Sequence, residues 1–112
     1  MRILCVDDDR LVLTTTAELI RSLGYEVVEA SSYAEAVGAM SLGSTIDLLI
    51  TDLKLGDGCG LELAQQALAL RPAVHVIYFT GSDLPLPPGT SGVRLSKPCT
   101  LRDLRDVLAA YS

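Results

Sequence analysis

Aromatic rings are scarce in this chain, which has no tryptophan, one phenylalanine and four tyrosines in 112 residues. Its 49% hydrophobic content must therefore come mainly from Leu, Val, Ile and Ala, side chains that suit parallel strands covered on both faces by helices. Positive charge is also short, nine Lys and Arg against 14 Asp and Glu for a net charge of -5. No basic cluster occurs, which argues against a binder of the nucleic-acid backbone. The three cysteines, Cys5, Cys59 and Cys99, are odd in number and far apart. They match neither a disulfide framework nor the paired spacing of a zinc site, so reduced thiols in a cytosol are expected. Long apolar runs are missing too. Nothing approaches the ~18 residues of a membrane span, and the opening "MRILCVDDD" turns acidic too soon for a secretory signal. The expectation is a soluble, cytoplasmic protein with no membrane or nucleic-acid partner. It should form a single domain over residues 1–112, a length that buries roughly two thirds of the unfolded surface in one core.

What is present is a regular alternation. The run "RILCV" reads as a buried strand that opens into three aspartates. Val12, Thr16, Leu19, Ile20 and Leu23 then recur at helical spacing up to a stop at Gly24. "YEVVEA" reads as a second strand. Ser32 with Glu35 forms a capping-box start for a helix through Met40 that Gly43 closes. "IDLLITD" is a third strand, followed by "LGDGCG" and a helix "LELAQQALAL" that stops before Arg71 and Pro72. "VHVIYFT" and "GVRL" are the last strands. Thr100 and Asp103 cap a final helix whose Leu101, Leu104, Leu108 and Tyr111 share a face. Strand and helix in turn require parallel strands joined by right-handed crossovers, so the fold class is α/β with a doubly wound sheet.

Ligands of such sheets bind at the carboxyl ends of the strands. Asp7 and Asp8 end the first strand, Asp52 the third and Thr80 the fourth, while Lys97 follows the fifth. If those strands are neighbours, these side chains converge on one crevice. Crowded carboxylates repel and raise one another's pKa unless a hard cation with oxygen ligands neutralises them, and Mg²⁺ fits better than zinc. One carboxylate is then free to attack phosphorus, with Thr80 and Lys97 as a hydroxyl donor and a positive charge toward the phosphoryl oxygens.

The segments "VDDD", "TDLKLGDGCGLEL", the "T" closing the fourth strand and "SKP" resemble, in this order, the receiver domain of bacterial two-component response regulators, from Ile3 to Tyr111. The resemblance implies a five-stranded parallel sheet of order 2-1-3-4-5. It implies Asp52 as phosphoacceptor, Asp7 and Asp8 as the acidic pair holding Mg²⁺ or its substitute Mn²⁺, and the main-chain carbonyl of Lys54 as a further metal ligand. Thr80 becomes the switch hydroxyl, Lys97 the phosphate-binding lysine, and Lys97-Pro98 a cis bond. The partner would be a histidine kinase or a histidine phosphotransfer protein, and the chain either a stand-alone receiver or one belonging to a hybrid histidine kinase. No output domain follows Tyr111, so transcriptional control by this chain alone is not expected. Lys54 and Ser82 are expected to border the water that attacks the phosphoryl group.

Several residues have plainer readings. Asp9 is expected to cap the first helix. Asp57 and its glycines lack the Walker lysine and read as a flexible turn. His75 lies at the far end of the sheet from the aspartates. Three departures from the family pattern stand out. Gly56 replaces a usual proline, which loosens the loop. Arg94 replaces a usual aromatic ring and should point outward from an edge strand. Between Thr80 and Lys97, Pro85, Pro87 and Pro88 would each cost about 3 kcal/mol inside a helix, so the fourth helix of the family is expected to be missing or vestigial. An extended crossover with one turn near Ser82 to Leu84 should replace it. These departures leave an alternative, a degenerate receiver acting as a phosphorylation-independent interaction module. A phosphatase acting through Asp52 is a weaker rival, because the DxD spacing of aspartate-nucleophile phosphatases is absent after the third strand.

Overall fold

The computed structural model describes residues 1–41, 45–81, 86–90, 92–97 and 100–111. The expected helix stop at Gly43, the turn at Ser82 to Leu84, Pro85, the Lys97-Pro98 bond and Cys99 lie outside the described residues.

The elements follow as β1 (Arg2–Val6), α1 (Arg10–Ser22), β2 (Glu26–Ala30), α2 (Tyr33–Ser41) and β3 (Leu48–Thr51). After them come β4 (Lys54–Leu55), β5 (Gly58–Cys59), α3 (Gly60–Leu70), β6 (His75–Thr80), β7 (Val93–Ser96) and α4 (Leu101–Ala109). Five strands pair in parallel in the order β2-β1-β3-β6-β7. This is the doubly wound arrangement expected, and the order 2-1-3-4-5 once the two-stranded β4-β5 hairpin is set aside.

Alternation along the strands divides the core in two. Leu4, Val6, Leu49, Val76 and Tyr78 face α2 and α3, packing on Ala36, Leu63, Ala64 and Ala67. Ile3, Leu48, Ile50, Ile77 and Phe79 face the other way, onto Ile20 of α1 and Leu104 and Leu108 of α4. Small residues on α2 and α3 let those helices lie close to the sheet, and aliphatic side chains fill most of both faces, with one strand ring on each, Tyr78 toward α2 and α3 and Phe79 toward α1 and α4.

The caps explain the helix limits. Asp9 Oδ1 accepts from the amides of Leu11 (3.0 Å) and Val12 (3.2 Å), which starts α1. Gly24, at φ 96°, follows its end, with its amide donating to the Arg21 carbonyl. Thr100 and Asp103 form the full reciprocal capping box of α4. At α2, Ser32 Oγ accepts from the Glu35 amide (3.0 Å), while the Glu35 carboxylate accepts from the Ser31 hydroxyl (2.6 Å).

Three local expectations are corrected. Leu101 is 43% exposed and stands off the buried face that Leu104 and Leu108 share with half-buried Val107 and Tyr111. Gly56 and Asp57 do form the expected turn, but not a free one, since it closes a hairpin that pairs Lys54 with Cys59 and Leu55 with Gly58. Arg94 is half-buried rather than outward-pointing, because its register opposite Tyr78 places it on the α2/α3 face of the sheet.

Among the described residues between β6 and β7 none is helical. Leu86 packs on the α2/α3 core. Pro87 to Thr90 form a turn in which the Thr90 amide donates to the Pro87 carbonyl (3.2 Å). Pro88 at its second position and Gly89 at φ 80° are what a type II turn requires.

Cys5 lies within β1 and is 2% exposed. Burial first, then the charges of Asp7 and Glu29, push its thiol up to about 12. The unfolded thiol ionises near pH ~8.5, so the unfolded state gains from deprotonation before the folded state can. This contribution to stability is complete below that pH and is lost as pH rises toward the folded value. Urea unfolding between about pH 8 and pH 10 should show falling stability, and Cys5→Ala should have a shallower alkaline slope. An unchanged slope would mean that the thiol is not shielded.

Candidate functional site

The carboxyl ends of β1, β3, β6 and β7 lie side by side, because the ladder pairs Val6 with Thr51 and Thr80 with Ser96. Each strand therefore delivers the residue at or just beyond its end to one crevice.

Asp7, 3% exposed, follows β1. Its amide donates to the Ala30 carbonyl (3.2 Å) and its Oδ1 accepts from the Asp9 amide (2.9 Å), which fixes the turn into α1. Asp8 is exposed beside it. Asp52, half-buried, follows β3; its amide donates to the Val6 carbonyl (3.2 Å), tying the two strand ends together. Asp7, Asp8 and Asp52 each present an oxygen within 4.8 Å of the others.

Lys97 closes the site from β7. Its amide donates to the Thr80 carbonyl (2.9 Å), continuing the β6-β7 ladder by one residue. Its Nζ donates to Asp7 Oδ2 (2.5 Å) and Asp52 Oδ2 (2.9 Å), and lies 5.3 Å from the centroid of the Phe79 ring. Burial by itself lowers the lysine pKa, but the hydrogen bonds and charges of Asp7 and Asp52 more than offset this and hold it above its ordinary value. The ammonium is therefore charged throughout the neutral range. Thr80, 3% exposed, ends β6 next to it.

The donor set suits a hard cation. It consists of carboxylate oxygens, with neither imidazole nor thiolate among the three clustered groups. Lys97 balances part of the negative charge and leaves Asp8 exposed at the mouth, so a divalent ion with oxygen ligands fits these residues. Lys54, expected to contribute its carbonyl, opens the β4-β5 hairpin two residues after Asp52.

The hairpin was the part least visible in sequence. A Cβ on Gly56 would stand 3.7 Å from Asp8 Oδ2, so the hairpin tip borders the acidic cluster. Asp57 reaches the other way and accepts from the amides of Tyr33 (2.8 Å) and Ala34 (3.1 Å), at the start of α2. Those bonds, Tyr33 first, hold its carboxyl below the usual range. Twenty-four residues separate Asp57 from Tyr33, so no local capping pattern could reveal the pair. His75 lies at the opposite end of β6, its ring 4.5 Å from that of Tyr111.

Gly60 shows how closely the chain packs behind Asp52. Its amide donates to the Leu53 carbonyl (2.9 Å), and a Cβ there would fall 1.9 Å from the Asp52 carbonyl oxygen. Overpacking against backbone costs typically ~1–3 kcal/mol and sometimes more, so Gly60→Ala should lose about 3 kcal/mol in urea unfolding. A loss below about 1 kcal/mol would mean that the Asp52 loop yields readily.

The family model of the response regulator receiver domain matches residues 3–109. The response regulator receiver protein CpdR of Brucella abortus is 31% identical over 108 residues, 92% of this chain and 89% of that protein. The CAI-1 autoinducer sensor kinase/phosphatase CqsS of Vibrio cholerae is 34% identical over 90 residues, and the match takes in 75% of this chain but 12% of the kinase. Among solved structures, a response regulator receiver domain protein (CheY-like) from Methanospirillum hungatei JF-1 superposes with a TM-score of 0.88 at 31% identity, covering 97% of this chain and 90% of that one.

Proposed function

The chain belongs to the response regulator receiver domain family, and from that premise we propose that it accepts a phosphoryl group from a phosphohistidine donor onto Asp52. In this reading residues 1–112 act as a single receiver domain in the cytoplasm. The donor is a histidine kinase or a histidine phosphotransfer protein, and the signal passes on by protein contact. The observation that carries the reading is the cluster itself, three carboxylates within 4.8 Å of one another with Lys97 held between Asp7 and Asp52.

The chemistry follows from these positions. A carboxylate oxygen of Asp52 forms a bond to phosphorus as the phosphorus–nitrogen bond of phosphohistidine breaks. The imidazole takes the bonding electrons and leaves neutral, because its other nitrogen carries a proton. The product is an acyl phosphate on Asp52. Lys97 and Thr80 then face the phosphoryl oxygens with a fixed positive charge and a hydroxyl donor, groups already in place before the charge arrives. Asp7, Asp8, Asp52 and the Lys54 carbonyl would hold Mg²⁺, with Mn²⁺ as a substitute. When bound, the ion supplies the positive charge that offsets the carboxylates and the transferred oxygens. Beside Lys97 an apolar opening of about 310 Å³, lined by Leu11, Val12, Leu19 and Phe79, gives a donor protein a surface on which to rest.

Incubation with acetyl phosphate and Mg²⁺, followed by phosphate-affinity electrophoresis, should show a phosphorylated wild type. Asp52→Asn should show none, and chelation of the metal should abolish the signal. An unlabelled wild type would refute the reading, and equal labelling of Asp52→Asn would refute the acceptor assignment.

A second reading, a passive interaction module, is favoured by half-buried Arg94 on the Tyr78 side of the sheet, where an inward-moving ring would otherwise act. Beryllofluoride with Mg²⁺ separates the two. For a working switch, amide shifts should extend from the crevice into β7 and α4; shifts confined to the crevice would favour the module.

A further inference from the structure

We infer that Asp57 is a positioning residue for the proposed phosphoryl-transfer site, acting by latching the β4-β5 hairpin to the start of α2. The inference rests on the cation-dependent reading above and extends it to a residue that touches neither phosphate nor metal.

The hairpin occupies a sensitive place. It begins two residues after Asp52 and its tip lies against Asp8, as the 3.7 Å from a Gly56 Cβ to Asp8 Oδ2 indicates. Its own ladder is short, two residue pairs, and a hairpin of this length is not stable alone. Gly56 adds backbone freedom and no side chain with which to hold the tip. Something outside the hairpin must fix it.

Just before the tip, Leu55 is 5% exposed within the α2/α3 core. At its tip, Asp57 spans two α2 amides with its two carboxylate oxygens, at 2.8 and 3.1 Å. Those amides belong to the first turn of a helix, which has no internal acceptors for them and attracts negative charge. Tyr33 closes the joint from the side. Its ring would stand 2.6 Å from a Cβ on Gly58, and its hydroxyl meets Gln66 of α3. Glycine at 58 is thus what lets the hairpin lie flat on the ring, and the carboxylate pins it there. Removing the carboxylate frees the tip to move relative to Asp8, and with it the main chain of Lys54.

A role confined to capping α2 would produce different results. Ser32 also caps α2, its Oγ accepting from the Glu35 amide at 3.0 Å, and Ser32→Ala removes a bond to the same helix in which no hairpin residue takes part. Asp57→Ala, Asp57→Asn and Ser32→Ala should therefore be compared with wild type in three measurements. These are Mg²⁺ affinity by isothermal titration calorimetry, amide hydrogen exchange at Gly56 and Gly58 in metal-free protein, and the rate of labelling by acetyl phosphate. Groups that orient metal ligands typically change affinity by ~10–100-fold when removed, and an indirect latch should lie at or below the low end, about threefold to tenfold. Asp57→Ala should weaken Mg²⁺ binding by that factor, speed exchange at Gly56 and Gly58, and slow labelling in proportion at subsaturating Mg²⁺. Asp57→Asn, which keeps an oxygen acceptor, should recover part of the loss. Ser32→Ala should lower stability but leave Mg²⁺ affinity and hairpin exchange at wild-type values.

The inference is overturned if wild type binds Mg²⁺ and is labelled while Asp57→Ala matches it in affinity and exchange, or if Ser32→Ala weakens Mg²⁺ as much as Asp57→Ala does. A wild type that binds no Mg²⁺ and takes no label overturns the underlying reading instead, and is distinguished because the metal-free exchange comparison still reports on the latch.

Discussion

The ammonium of Lys97, donating to both Asp7 and Asp52, is the contact on which the geometry of the crevice turns. It joins residues 90 and 45 positions apart, and so ties the end of an edge strand to two interior strands, β1 and β3. Without a positive charge between them, those two carboxylates would repel one another across the crevice. The lysine does not reach its place by its own flexibility alone. Its amide extends the β6-β7 ladder through the Thr80 carbonyl, and Phe79 lies beneath its charged end. Backbone pairing sets the height of the side chain, and charge sets its direction.

The two faces of the sheet support this end differently. Toward α1 and α4 the core is mainly aliphatic around Phe79 and the helix caps are local, with Asp9 and Thr100 each serving its own helix. Toward α2 and α3 the support is long-range. Asp57 serves a helix whose first residue precedes it by 24 positions, Tyr33 packs over Gly58, and the Pro87–Thr90 turn and Leu86 lie on the ground between β6 and β7 where none of the described residues is helical. The loop that follows Asp52 thus draws its order from tertiary contacts on one face, while the strand ends that carry the carboxylates draw theirs from the ladder.

Legibility in sequence followed the same division. Asp9 was readable as a cap because the amides it serves, Leu11 and Val12, are its near neighbours. The sheet was readable because apolar runs of strand length alternate with helical periodicity, and parallel order leaves few ways to connect them. Leu101 was misplaced because periodicity names a face without saying how far up the helix the core extends. Arg94 was misplaced because its side of the sheet depends on its register against Tyr78, a property of two strands rather than one.

The sequence by itself determined the class of fold, the order of its elements and the set of groups that could meet at the strand ends, since these follow from local periodicity and from which residues terminate each apolar run. Tertiary structure alone decided that Lys97 lies between Asp7 and Asp52, that Asp57 caps α2 rather than ending a loose turn, and that Gly60 must be glycine beneath the Asp52 carbonyl. The physical reason is range. Propensity and capping act over a few residues, whereas a charge between two strand ends and a backbone oxygen against a missing side chain exist only once distant segments have been packed together.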